Sequence, residues 1–184
     1  MFTTTIILNL LSQRKLRLED KIGKYLDHQI LKGLHTNKAK DYSNVITIKQ
    51  LLAHTSGLPD YFQGKGRSGK SLEDEIKNGD DQFWTYESAI EMAKQMLPLF
   101  IPRAKNKANY ADINFQLLGR IIEIITDKTY AANCNQLIIE PLKMSKTYLY
   151  QDADDITPKT LYYKSKVLNI PKAMTSFGPD GGIV

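Results

Sequence analysis

The chain has 184 residues, of which 42% are hydrophobic and 24% charged, a balance that supports one folded domain with its own core. Its formal net charge of +5 comes from 25 basic residues scattered among 20 acidic ones, which reads as a solvated surface. No basic stripe with interleaved aromatics marks a nucleic-acid binder. No apolar run is long enough for a membrane span. The single cysteine, Cys134, excludes an internal disulfide and a cysteine-built metal cluster, and its apolar setting reads as a buried, inert thiol. Neither a cofactor nor a metal is expected.

In chain order, apolar residues at Ile6, Ile7, Leu10 and Leu11 predict a first helix over 2–14. Its opening MFTTTIILNLL lacks the basic start and cleavage site of a signal peptide. A short helix follows within 18–30, and 31–44 reads as loop, with Tyr42-Ser43-Asn44 as a solvated turn. Thr47 and Gln50 form a capping box that opens a helix ending at Gly57. Residues 60–82 are polar and glycine-rich and read as a long surface loop. Thr85 caps a helix whose inward face is Tyr86, Ile90, Ala93 and Leu97, stopped by Pro98. The strongest helix is 112–126, with Ile113, Leu117, Leu118, Ile121, Ile122 and Ile125 inward. Another spans 130–140. A short β segment is expected near 146–170, and SFGPDGGIV reads as a turn entering a strand.

Three patterns carry candidate chemistry. Ser12-Gln13-Arg14-Lys15 spells S-x-x-K, the nucleophile motif of penicillin-binding serine hydrolases. At 100° per residue, however, Ser12 points away from the apolar face. It also sits in the last helical turn, where exposed carbonyls oppose a forming oxyanion. Residues 64–71, GKGRSGKS, spell a phosphate-binding loop, but a proline-containing stretch precedes them and the acidic LEDE follows, which would repel phosphate. Nucleotide binding through this loop is the weakest alternative. Tyr110-Ala111-Asp112 lies at the entry of the best core helix, a rigid mount for a phenol that moves a proton. On the bland reading, Asp112 or Asn109 is only that helix's N-cap. His54, near a helix end, reads as a core or end-capping histidine.

Four segments in order, ITIKQLLAHTSGLPDYF, YADINFQLLGRIIEIITDKTY, IIEPLKMSKTYLY and GPDGGIV, resemble the serine β-lactamase-related family. That family includes class C β-lactamases, D-alanyl-D-alanine carboxypeptidases, D-aminopeptidases and esterases, often periplasmic or extracellular. The resemblance implies acyl-enzyme hydrolysis of amides or esters in small-molecule or peptide substrates. It implies three motifs: S-x-x-K, a tyrosine motif, and a K-T-G or H-x-G strand. Tyr110 and Asp112 match the second, so Tyr110 would relay a proton and Asp112 would hold the lysine or the substrate. Asp112 stands where Asn is usual. An ionised carboxylate only accepts hydrogen bonds, which suits a peptidase or esterase better than a lactamase. Arg103 stands where the family usually has glycine.

The first helix aligns with the one that follows the family's S-x-x-K, and no K-T-G or H-x-G occurs. The expectation is therefore a mainly α fragment of an α+β serine β-lactamase/transpeptidase-like fold. Residues 1–184 would be a partial domain with its central antiparallel sheet largely missing, inactive alone. It would leave apolar helix faces open to self-association, or serve as a non-catalytic complementing module.

Overall fold

The computed structural model describes residues 1–66, 69–149, 161–163, 166–168 and 170–180. The strand entry expected after Gly181 lies outside the described residues, as does part of the 146–170 segment.

Helix α1, Phe2–Ser12, is the expected first helix, two residues shorter. A 3-10 turn at Ile22–Lys24 and the single turn α2, His28–Leu31, stand where one short helix was expected. A hairpin then appears in the supposed loop: β1, Thr36–Asn37, pairs antiparallel with β2, Lys40–Asp41. Lys38 and Ala39 turn it, both with positive φ. That backbone normally selects Asn-Gly, so the sequence carries no hairpin signal there. Ser43 donates its hydroxyl to Asp41, and Asn44 bonds the His28 ring, so Tyr42-Ser43-Asn44 braces the hairpin.

Helix α3, Ile48–Leu52, has the capping box expected at Thr47, but ends five residues before Gly57. Helix α4, Leu72–Lys77, lies inside the expected loop and carries its own box, Ser71 with Asp74. Leu72 and Ile76, one turn apart, are buried and tie it to the core. Helix α5, Tyr86–Lys94, is capped by Thr85 and Ser88. It stops before Leu97, which is 84% exposed rather than inward. The Thr85 cap is itself exposed, so Thr85→Ala leaves no cavity. It should cost about 1 kcal/mol, the usual worth of such a cap, and lower the midpoint of thermal unfolding by roughly 2–4 °C in calorimetry.

Helix α6, Ile113–Thr126, is the centre of the molecule and packs against α1, α3, α5 and α7. Ile113, Leu117, Leu118, Ile121 and Ile122 are fully buried, each contributing about 2 kcal/mol by burial. The Ile6, Ile7 and Leu10 face of α1 is buried too, so neither helix leaves its expected stripe open. Only single side chains such as Leu8 and Ile124 are half-exposed. Helix α7, Tyr130–Cys134, continues as a π-helical turn over Asn135–Ile139, and Cys134 is buried as expected. The β segment appears as a hairpin, β3 Leu161–Tyr163 with β4 Lys166–Leu168.

Helix α8, Pro171–Phe177, was not legible in the sequence. It leads to Pro179, which lies directly on Gly119 of α6, where any Cβ would collide with the proline ring. The Thr3 hydroxyl donates to the Pro179 carbonyl at 2.7 Å and bonds the Tyr130 hydroxyl at 2.7 Å. The start of α1, the start of α7 and the far end of the described chain are thus joined behind α6.

Candidate functional site

The site is built where the turn after α3 meets the segment leading into α6. Two main-chain details shape the turn. His54 follows the end of α3 with φ +53°, and Gly57 has φ +77°. The backbone therefore doubles back, and Leu58, Pro59 and Asp60 run under the entry of α6. On the other side, Asn109 donates its main-chain N–H to the His54 carbonyl at 2.9 Å. This bond sets Tyr110 beside the turn.

Tyr110 is 59% exposed, while Asp112, two residues on, is 7% exposed. The Tyr110 hydroxyl donates to Asp112 Oδ1 at 2.5 Å. Asp112 occupies the N-cap position of α6, yet its side chain makes no capping bond. The bland reading of Asp112 as a helix cap is thus not what its carboxylate does: it holds the phenol.

A second carboxylate lies beside the first. Asp60 Oδ1 accepts from the Phe62 N–H at 3.0 Å and from the Asp112 N–H at 3.4 Å. Burial raises the pKa of both carboxyls from their ordinary value. For Asp112 burial outweighs the hydrogen bond from Tyr110 and brings it to about 6, with Asp60 adding like-charge repulsion. An acid with a pKa near neutrality can take up or release a proton close to physiological pH, and as a carboxylate it accepts the short hydrogen bond of the phenol. The phenol opens on a groove of about 580 Å3 lined by Asp60, Gln63, Leu97, Leu99, Asn109 and Tyr110. Leu97 and Leu99, exposed on its rim, make it apolar on one side.

Sequence reasoning singled out Tyr110 and Asp112, and the structure brings them together. It missed Asp60, Ser56 and Asn114. All three lie in the two quoted runs, H-T-S-G-L-P-D and Y-A-D-I-N-F, so the signal was their closeness to the motif. Ser12 behaves as the helix wheel indicates: it is exposed, and its hydroxyl donates to the Asn9 carbonyl at 2.7 Å. Of GKGRSGKS, residues 67 and 68 lie outside the described residues. The rest follows a turn rather than a strand and enters the six-residue α4, whose first turn holds Glu73, Asp74 and Glu75. Three carboxylates there oppose phosphate. Among the described residues no group of His, Cys, Asp and Glu is arranged to hold a metal ion. No helix of the described chain is long and apolar enough to cross a membrane.

A family model described as Beta-lactamase matches residues 1–184. The chain belongs to the β-lactamase family. The resemblance read from its sequence motifs therefore holds. Protein flp of Staphylococcus aureus (strain MW2) is 30% identical over 165 residues, covering 90% of this chain and 28% of that protein. A teichoic acid D-alanine hydrolase from Staphylococcus aureus is 30% identical over 152 residues, covering 82% of this chain and 31% of the hydrolase. Among solved structures, a D-stereospecific amidohydrolase from Streptomyces sp. aligns at 25% identity with a TM-score of 0.72, over 99% of this chain and 53% of its own. D-amino acid amidase from Ochrobactrum anthropi SV3 shares the fold, with a TM-score of 0.73 at 19% identity. The chain spans about a third of the curated relatives' length and about half of the first of these structures. Its helical layers with small hairpins are one part of that β-lactamase-like architecture. Arg103, directly after Pro102, has φ +79°, a conformation that glycine adopts freely and arginine only at a cost.

Proposed function

We propose that this chain supplies the tyrosine–carboxylate part of an acyl-enzyme serine hydrolase, and that residues 1–184 perform no acyl transfer by themselves. The observation that carries the proposal is the short bond from the exposed Tyr110 hydroxyl to the buried Asp112 carboxylate at the mouth of the groove. Tyr110 is the group that relays a proton between a serine nucleophile and its leaving group. Asp112 orients the phenol by accepting its hydrogen bond.

The nucleophile, its lysine and the substrate-aligning strand belong to the remainder of a longer family domain. Two facts support this: the relatives are about three times the length matched, and the S-x-x-K of this chain lies on an exposed helix end with its hydroxyl turned to a carbonyl. Asp112 in place of Asn favours an ester or peptide over a lactam. The names of the teichoic acid D-alanine hydrolase and the D-stereospecific amidohydrolase favour a D-aminoacyl ester or amide.

The chain treated with a fluorescent penicillin or a fluorophosphonate should keep its unmodified intact mass. A covalent adduct on Ser12, or on any other serine of this chain, would overturn the proposed inactivity.

A further inference from the structure

We infer that His54 is the positioning residue for Tyr110, holding one side of the tyrosine turn through its carbonyl and the other, as a neutral imidazole, through its Nδ1 lone pair; this rests on the reading of Tyr110 as the working hydroxyl. Five contacts converge on this histidine. Its carbonyl accepts from the Asn109 N–H at 2.9 Å, so the residue before Tyr110 is fixed by the His54 main chain. Its ring nitrogen Nδ1 accepts from the Ala111 N–H at 3.3 Å, so the residue after Tyr110 is fixed by the His54 side chain. Nδ1 also lies 3.0 Å from Asn114 Nδ2. The ring itself sits between Tyr110, at 4.7 Å between centroids, and Phe115, at 5.3 Å.

The proton positions follow from the donors. A main-chain N–H can only donate, so Nδ1 carries no proton and the neutral ring holds its proton on Nε2. The Asn114 amide must then present its NH2 to Nδ1 and its oxygen elsewhere. That oxygen accepts from the Ser56 hydroxyl at 2.7 Å. Ser56 is buried and also caps the turn by accepting from the Leu58 N–H at 3.2 Å. One directional chain, Ser56 to Asn114 to His54, therefore fixes the ring that fixes the tyrosine. Burial lowers the pKa of His54, which keeps the lone pair available at neutral pH.

The left-handed backbone at His54 is part of the same device. With φ +53° the residue turns its carbonyl toward Asn109 and its ring toward Ala111 together. A β-carbon residue in that region costs free energy, and a cost kept at a site is offset by the contacts it makes possible.

The test compares three substitutions in the full chain, read by the Tyr110 hydroxyl proton in NMR with isotope-labelled tyrosine. His54→Asn keeps an acceptor one atom beyond Cγ and tolerates positive φ, and should leave the hydroxyl signal and its exchange rate close to those of the parent. His54→Phe keeps a ring but offers no acceptor, and His54→Ala offers neither. In both, hydroxyl exchange should be about tenfold faster, the weight of one lost hydrogen bond. Equal exchange in the Phe and Asn variants would overturn the inference. Should the Phe and Ala variants fail to fold, the ring-nitrogen spectrum of the unsubstituted chain decides: a proton on Nε2 is expected, and a proton on Nδ1 at neutral pH overturns the inference. These signals report the geometry of Tyr110 and His54 and not acyl transfer, so the acyl-enzyme reading and the positioning role of His54 can fail separately.

Discussion

Asp112→Asn should raise the melting temperature at pH 8 by roughly 6–12 °C and leave it nearly unchanged at pH 4. The cause is burial. The Asp112 carboxyl is pushed from its ordinary 3.8 to about 6 by burial and by Asp60. A carboxyl with a raised folded-state pKa lends stability in its neutral form. That stability is fully present below pH 3.8 and is lost as the pH climbs through about 6. A shift of about two units corresponds to about 3 kcal/mol once both states are ionised, and each kcal/mol moves the midpoint of a chain this size by roughly 2–4 °C. Asparagine mimics the neutral acid at every pH, and its Oδ1 can still accept from the Tyr110 hydroxyl. The gain should therefore open between pH 4 and 7 in a calorimetric series. An equal gain at both ends of the range, or a loss at pH 8, would remove buried charge as the explanation. A carboxylate retained here at a cost to stability fits a group kept for proton chemistry, since strain of this kind gathers at working sites.

Gly57→Ala should destabilise the chain by about 3 kcal/mol or more and lower the melting temperature by roughly 10 °C. Two effects add. The backbone at Gly57 has φ +77°, where a β-carbon costs about 1–2 kcal/mol. The new carbon would also collide with the carbonyl of Phe100. That carbonyl accepts from the buried His35 Nε2 at 2.9 Å, and His35 Nδ1 already lacks a partner. Displacing Phe100 strands the second ring nitrogen as well, a further loss of about 1–3 kcal/mol. The Gly57 carbonyl meanwhile holds the Leu99 N–H at 2.9 Å, so the rim of the groove would move with it. Denaturant unfolding measures the loss directly. A change below about 1 kcal/mol would mean that Phe100 yields freely and that the turn is not rigidly seated.

Legibility in the sequence followed the range of the forces. Helices α1, α5 and α6 and the capping box at Thr47 rest on apolar spacing and on hydroxyl side chains within four residues, and all were readable. Helix α4 was not, because six residues give too little periodicity to outweigh the glycines around them, although Leu72 and Ile76 pin it to the core. The β1–β2 hairpin turns through Lys38 and Ala39, which carry no turn signal of their own. Leu97 continues the α5 stripe by spacing, but the helix ends at Lys94 and the side chain faces solvent at the groove.

The same division runs through the site. By itself the sequence determined the family, through four segments in order, and the pair Tyr110 and Asp112, through one motif at the head of the strongest helix. Only the tertiary structure decided what these residues do to each other. Burial over Asp60 raises the Asp112 carboxyl, and neither effect is written in local spacing. The placement of His54 against Tyr110 joins residues 56 positions apart, across a turn whose shape depends on Gly57 lying against Phe100. Burial and desolvation arise only when distant segments close on one another, which is why a residue read as a helix-end histidine is found with its ring against the tyrosine.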